Sequence, residues 1–94
     1  MRVSEHDPWR LSDFRRSQTS LSERTLAAYD SDVRLFAEWV SRSSIESPGG
    51  VTRTLIRRYV AALSTREYAR RSIARKVAAL RRYFAWALEE GLAP

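Results

Sequence analysis

The sequence contains no cysteine and a single histidine, His6, among its 94 residues. Without cysteine, the chain cannot hold a disulfide scaffold, a thiolate zinc site or a cysteine nucleophile. His6 has no candidate nucleophile beside it and stands in an N-terminal stretch that we expect to be frayed, so we interpret it as an idle surface histidine. The lack of cysteine is consistent with a reducing compartment, and we expect a cytoplasmic protein.

Long apolar runs and alternating apolar–polar patterns are also missing. The first residues, MRVSEHDPWR, contain no apolar run of the kind found in a signal peptide. No stretch approaches the roughly 18 apolar residues of a membrane span, so we expect no membrane partner. Because two-residue alternation is absent and β-branched residues are sparse, no strand is predicted, and no glycine-rich phosphate loop can follow one.

Paired acids for general acid–base catalysis are not available either. Asp30 and Asp32 fall within a predicted helix, where residues two apart point in different directions, so they form a poor acid–base pair. We expect both to be solvated or paired with nearby arginines. Since metal-ligand spacing is absent as well, the sequence predicts a chain that is not an enzyme and uses no cofactor.

The chain does contain enough apolar material for one small all-α domain. Hydrophobic residues make up 44% and charged residues 30%, a composition typical of a packed domain. Four helices are predicted. In the first, Asp7 can cap and Pro8 can fill the first helical position, Trp9 and Phe14 supply apolar contacts, and the helix should fade near Ser17.

The second helix carries the strongest pattern. It can begin with Ser20 and Glu23 as a capping box or with Ser22 as the cap, and it should end near Ser43. Steps of three and four residues draw one apolar face, formed by Leu26, Tyr29, Val33, Phe36 and Val40. The loop SSIESPGG follows at residues 43–50, signalled by Pro48, Gly49 and Gly50.

The third helix is predicted from the cap Thr52 to Leu63, and the connector STREYA that follows has neither glycine nor proline to mark its limits. The fourth helix lies within ARRSIARKVAALRRYFAWALEEG, residues 69–91, with Gly91 as the residue after its C-cap. At 100° per residue its predicted apolar stripe consists of Ile73, Val77, Leu80, Phe84 and Leu88. Together, these patterns predict an all-α domain of four helices.

The excess positive charge is confined to one segment. The net charge is +6, and residues 66–82 hold seven basic side chains against one acid, while the rest of the chain holds ten of each. All the basic residues except Lys76 are arginine. The planar guanidinium suits phosphate and guanine, although a GC-rich genome also favours arginine codons. Codon bias does not account for the clustering.

The arginines of the fourth helix are predicted to share a face. Arg71, Arg75 and Arg82 fall nearly opposite the apolar stripe, with Ala78 between them. Solvated helix faces usually mix charges, yet residues 70–82 contain no acid, and Arg71 and Arg75 form a repulsive i,i+4 pair. We interpret this face as one that meets a polyanion, with DNA or RNA as the natural partner because counterion release favours binding.

A Ser-x-x-Thr-x-x-x-Tyr pattern opens the second helix, and it is formed and followed at regular steps by Ser22, Thr25, Tyr29, Asp32, Phe36 and Trp39. A second pattern, an arginine followed by a small-small-Leu-Arg run and aromatics, is formed by Arg75, Ala78, Ala79, Leu80, Arg81, Tyr83, Phe84 and Trp86. At these spacings the sequence resembles the N-terminal core-binding domain of tyrosine recombinases and phage integrases, whose fold is a compact SAM-like orthogonal bundle of four helices. Ala78 stands where the family often has serine.

The resemblance implies a DNA-binding domain that clamps one side of the duplex, while a separate C-terminal domain carries catalysis. It divides the chain into a tail with a short first helix (1–19), the core-binding domain (20–91) and the start of a linker (92–94) to that catalytic domain. Other recombinase protomers are implied partners on DNA. The expected DNA-binding residues are Arg24, Thr25, Arg71, Ser72, Arg75, Lys76 and Arg82.

Two other functions stay open on the sequence. A helix-turn-helix regulator would need a short recognition helix after a tight turn, whereas the fourth helix and its connector both look too long. A SAM-like protein-interaction module is the second alternative. Trp86, on the basic side of the fourth helix, could pack on a neighbouring element, stack on a ligand or meet a further domain.

Overall fold

The computed structural model describes residues 7–94, so His6 lies outside the described residues. These residues form four α-helices, and no strand occurs among them. The helices are α1 (Leu11–Ser17), α2 (Glu23–Ser41), α3 (Arg53–Thr65) and α4 (Arg70–Glu89). A short 3₁₀ turn, Pro48–Gly50, interrupts the α2–α3 loop. The all-α prediction is confirmed.

The start of α1 differs from the prediction. Pro8 belongs to a turn, and the helix begins at Leu11, after Arg10 adopts a left-handed conformation with φ 51°. Asp7 still acts as a local acceptor, because its carboxylate receives the N–H groups of Trp9 at 3.0 Å and Leu11 at 3.1 Å. The Asp7 carboxylate therefore stabilises this turn, whereas the sequence predicted that it would cap the first helix directly. The end at Ser17 agrees with the prediction.

Serine and threonine caps fix the N-termini of α2 and α3. Ser22 Oγ accepts the N–H of Thr25 at 3.2 Å, and Thr52 Oγ1 accepts the N–H of Leu55 at 3.2 Å. Of the two predicted caps for α2, Ser22 is the one used. A hydroxyl cap is stabilising because it satisfies an N–H group that has no partner within the helix.

The last three helices end in the same hydrogen-bond pattern. In α4, Leu92 N–H bonds to Ala87 C=O at 2.8 Å and Gly91 N–H bonds to Leu88 C=O at 3.2 Å, with Gly91 at φ 75°. This is a Schellman motif. Equivalent bonds end α2 and α3, where the left-handed position is occupied by Ser44 and Glu67 instead of glycine.

The core is centred on α4, which packs against the other three helices. Trp9, just ahead of α1, lies between α2 and α4, with its ring centroid 6.2 Å from Phe36 and 5.7 Å from Tyr83. The buried Tyr83 hydroxyl donates to the backbone carbonyl of Trp9 at 2.7 Å. The radius of gyration is 13.1 Å, close to the roughly 13 Å of a compact domain of about 100 residues.

The buried face of α4 is not the predicted one. Leu80 is buried, but Leu88 is 57% exposed, and the other members of the predicted stripe are only partly buried. The residues that are buried are Lys76, Ala79, Leu80, Tyr83, Trp86 and Ala87. At 100° per residue, this face is rotated by about 100° from the predicted stripe, which corresponds to one residue. None of the described helices is both long and apolar enough to cross a membrane.

Candidate nucleic-acid interface

The basic segment of α4 is tied to α2 by one buried acid. Asp32 is 1% exposed and lies beside the start of α4. Its Oδ1 accepts a hydrogen bond from Arg75 Nη2 at 2.7 Å and from Lys76 Nζ at 3.1 Å, while Oδ2 accepts from Arg75 Nε at 2.9 Å. The expectation of solvation for Asp32 is therefore wrong, and the alternative of pairing with an arginine is confirmed.

Arg75 is held by Asp32 but still reaches solvent. Two nitrogens on one side of the guanidinium bind the carboxylate, and the side chain is 46% exposed. The hydrogen bond to Asp32 raises the pKa of Arg75. A guanidinium has five N–H donors in a fixed plane, so Arg75 keeps donors for a second acceptor, and its orientation is set in advance.

Lys76 is the one predicted DNA-binding residue that is buried. Its side chain is only 5% exposed, and its ammonium contacts Asp32 and lies 5.5 Å from the ring centroid of Tyr68. Burying an ammonium is costly unless it is paired, and Asp32 supplies that partner. Because the ammonium is used inside the protein, Lys76 is withdrawn from the DNA-binding set.

Arg71 and Arg82 are exposed on α4 on the same side as Arg75. Arg82 Nη1 donates to Gln18 Oε1 at 2.9 Å, which links α4 to the residue after α1. Arg71 takes part in none of the ion pairs found in residues 7–94. We call Arg71, Arg75, Ala78 and Arg82 the basic ridge. Glu89 follows on the same side of the helix, so the positive charge is confined to the first part of α4.

The remaining predicted residues have different surroundings. Arg24 is exposed near the start of α2. Thr25 is partly buried, and its Oγ1 accepts a hydrogen bond from Ser22 Oγ at 3.1 Å, so its hydroxyl belongs to the α2 cap. Ser72 is partly buried on α4, one residue beyond Arg71. Ser72 and Thr25 are thus less exposed than the arginines of the predicted set.

Trp86 packs on a neighbouring element, which was one of three open possibilities. It is 8% exposed, its ring lies 5.6 Å from Phe14 of α1 and 5.7 Å from Tyr83, and the Arg10 guanidinium lies 5.7 Å from its centroid. Trp86 therefore attaches α1 to α4. On the helix surface Trp86 is next to the basic ridge, as the sequence predicted, but its ring packs against Phe14 and Tyr83.

Two residues of this site were outside the predicted set. Asp32 positions Arg75, and Gln18 contacts Arg82. Both contacts join residues far apart in the chain, with separations of 43 and 64 residues. The sequence signal for Asp32 was an aspartate beside the apolar face of a predicted helix. No sequence feature pointed to Gln18.

Comparison with known proteins assigns most of the chain to one domain family. The family described as "Phage integrase, N-terminal SAM-like domain" matches residues 12–91. Tyrosine recombinase XerC of Halalkalibacterium halodurans is 32% identical over 69 residues, which cover 73% of this chain and 23% of the relative. XerC of Pelobacter propionicus is 39% identical over 77 residues, which cover 80% and 25%.

A third relative carries a different name. Tyrosine recombinase XerD of Bifidobacterium longum is 30% identical over 71 residues, covering 76% of this chain and 23% of the relative. The chain thus spans about a quarter of the length of the curated relatives that it matches. No solved structure matches it at a significant level.

Proposed function

Because the chain belongs to the phage integrase N-terminal SAM-like domain family, we propose that it is the core-binding module of a site-specific tyrosine recombinase. In this role it clamps one side of duplex DNA at the recombination site. Catalysis takes place in a C-terminal domain outside this chain, a division supported by the quarter-length match to XerC and XerD. The proposed partners are duplex DNA, that domain and other protomers on DNA.

The basic ridge is the observation that carries this proposal. Arg71, Arg75 and Arg82 lie on one side of α4 around the small Ala78. A small side chain between arginines allows a duplex to approach the helix closely while the longer side chains reach phosphates. Arginine–phosphate contacts supply most of the sequence-independent affinity for DNA. Arg24 and the hydroxyls of Thr25 and Ser72 are proposed as secondary contacts.

The arginines of the ridge differ in how firmly they are held. Arg75 is fixed by its two hydrogen bonds to Asp32, so it loses little side-chain entropy when it meets a phosphate. Arg82 has one neutral partner, Gln18. Arg71 is exposed and takes part in no ion pair within residues 7–94, and we expect it to follow the backbone of the DNA. Phosphate contacts should therefore dominate, with steep salt dependence.

A salt titration with duplex DNA tests the proposal. The double variant Arg71→Glu/Arg82→Glu removes two ridge cations and leaves the Asp32 ion pairs intact. We expect this variant to bind DNA more weakly. The plot of log association constant against log salt concentration should also become less steep by about 2, since each phosphate contact contributes about 0.9 to the steepness. Arg42→Glu/Arg58→Glu is the control with the same charge change at exposed positions outside the ridge. Equal losses in both variants, with the fold intact, would reject the ridge as the DNA-binding face.

A helix-turn-helix regulator is kept as the second candidate because of one structural feature. The connector between α3 and α4 is only four residues long, Arg66 to Ala69, so the expectation that it is too long for such a turn is wrong. The length of α4, 20 residues, still argues against a short recognition helix. The sequence that follows in the parent protein decides: an Arg…His-x-x-Arg…Tyr array supports the recombinase, and its absence supports the regulator.

The domain limits are proposed with one adjustment. The sequence assigned residues 1–19 to a tail and short first helix, separate from the domain at 20–91. Leu11 and Phe14 of α1 are buried in the same core as α2 and α4, so we include α1 in the core-binding module. Residues 92–94 stay the proposed start of the linker. Limited proteolysis tests this, because cleavage between α1 and α2 should be slow if α1 is part of the folded unit.

A further inference from the structure

An open groove lies between α3 and α4, on a different side of α4 from the basic ridge. It has a volume of about 700 Å³. Its floor is apolar and its rim is basic, with Ile56, Val77, Leu80 and Phe84 as floor residues and Arg53, Arg57 and Arg81 as rim residues. We call this the α3–α4 groove. The apolar stripe that the sequence assigned to the core is largely the floor of this groove.

The floor is less buried than a core would be. Val77, Ile56 and Phe84 are only partly buried, and Leu88, one turn beyond Phe84 on the same side of α4, is 57% exposed. The rim arginines are exposed, and none of them takes part in an ion pair within residues 7–94. The groove therefore offers unused apolar surface between uncompensated positive charges.

Its shape fits a helix. α3 contributes residues at i, i+3 and i+4 (53, 56, 57), and α4 contributes residues at i, i+3, i+4 and i+7 (77, 80, 81, 84), so two roughly straight walls enclose the floor. Val77 to Phe84 is about 10 Å along the α4 axis, and extension to Leu88 gives about 16 Å. Apolar anchors at i, i+4 and i+7 of a docked helix span about 10 Å.

We propose that the α3–α4 groove docks an amphipathic helix of a protein partner, with apolar anchors at i, i+4 and i+7 and flanking glutamates or aspartates. The floor takes the anchors and the rim arginines pair with the acids. Charge complementarity selects this occupant. A phosphate backbone would gain nothing from the apolar floor, and so a protein segment is favoured over nucleic acid. The proposal does not depend on DNA binding by the basic ridge.

The probe for this proposal is a fluorescent 14-residue helical peptide with leucine at i, i+4, i+7 and i+11, glutamate at the flanking positions and alanine elsewhere. A scrambled peptide of the same composition is its control. We expect saturable binding by the ordered peptide only, with NMR shift changes at Ile56, Val77 and Phe84. Arg57→Glu and Arg58→Glu form a matched pair of variants, since both positions are exposed on α3 but only Arg57 lines the groove.

Arg57→Glu should weaken peptide binding about tenfold, because it places a like charge against the peptide's acids, whereas Arg58→Glu should stay close to the wild type. Equal binding by the scrambled peptide, or equal losses in the two variants, would overturn the proposal. So would a duplex DNA affinity that falls more with Arg57→Glu than with Arg71→Glu, which would assign the groove to DNA. If the ridge variants bind DNA as well as the wild type does, the proposed DNA-binding face is rejected, but peptide binding in the groove is unaffected. The two proposals can therefore be rejected separately.

Discussion

Lys76 and Asp32 form an ion pair that is closed off from solvent, with Nζ 3.1 Å from Oδ1 and side-chain exposures of 5% and 0%. Arg75 binds the same carboxylate from the solvent side. One acid on α2 thus holds two consecutive cations of α4. This arrangement fixes the rotation of α4 about its own axis, and with it the direction in which the basic ridge points.

The first prediction compares the loss of the acid, Asp32, with the loss of its buried partner, Lys76. Asp32→Ala leaves the Lys76 ammonium buried without an acid, and it should lower the free energy of unfolding by about 3–5 kcal/mol. Lys76→Met should cost much less, because Asp32 keeps Arg75 and the methionine fills a similar volume. Urea unfolding followed by circular dichroism measures both changes. Equal losses in the two variants would contradict the assigned roles.

The second prediction concerns two residues of α4: Trp86, whose role the sequence left open, and Leu88, which the sequence assigned to the apolar stripe. Trp86→Ala should destabilise the protein by about 3–5 kcal/mol, because it empties a site between α1 and α4. Leu88→Ala should change stability by less than about 0.5 kcal/mol, because its side chain is largely exposed. Thermal unfolding of both variants provides the comparison. A large loss for Leu88→Ala would restore the stripe predicted from the sequence.

The success of the sequence-based prediction differs between helices for a physical reason. In α2 the predicted apolar face is the packed one, since Val33, Phe36 and Val40 are buried and Leu26 and Tyr29 are partly buried. In α4 the apolar residues spread over more than one face, and the packed face includes Lys76, a charged residue that a periodicity argument treats as exposed. The partners of this face, among them Asp32, 44 residues away, and Trp9, whose carbonyl accepts the Tyr83 hydroxyl, decide between the two rotations.

The sequence also predicted the candidate site only in part. Arg71, Arg75 and Arg82 do share a side of α4, since their relative angles follow from helix geometry alone. The partners of Arg75 and Arg82 could not be predicted, because they come from other elements. The end of α3 was equally hidden, since Glu67 occupies the left-handed position where the sequence rules look for glycine.

The third prediction is a loss of stability at alkaline pH through Tyr59. Burial, followed by the influence of Tyr68, raises the pKa of Tyr59 to about 12, above the roughly 10 of an unfolded tyrosine. A pKa raised in the folded state gives stability that is fully present below pH 10 and is lost as the pH rises towards 12. Tyr59→Phe should reduce this pH dependence.

Unfolding measured in urea at pH 9 and pH 11 tests the effect of Tyr59. The wild type should lose more stability between the two values than Tyr59→Phe does, and absorbance at 295 nm should show one late-ionising tyrosine fewer in the variant. Tyr29→Phe serves as the control, because Tyr29 is not among the groups that shift the pKa of Tyr59. An unchanged pH dependence in Tyr59→Phe would contradict the assignment.

The fourth prediction uses the three Schellman motifs as an internal comparison. Gly91, Ser44 and Glu67 occupy the same left-handed position, at φ 75°, 65° and 63°. Residues with a Cβ are strained there by about 1 kcal/mol relative to glycine. Ser44→Gly should therefore raise the free energy of unfolding by up to about 1 kcal/mol, whereas Gly91→Ala should lower it by a similar amount.

Gly91→Ala is a clean test of backbone strain, because a Cβ at this position would meet no atom within 4 Å. Any loss must then come from the dihedral angle and not from a steric clash with a neighbour. Ser44→Ala separates the glycine effect from loss of the hydroxyl: both substitutions remove the oxygen, but only glycine relieves the strain. Chemical unfolding of the three variants should rank Ser44→Gly above the wild type and Gly91→Ala below it. Stabilisation of equal size by Ser44→Ala would mean that the hydroxyl, and not the left-handed backbone, limits the stability of this turn.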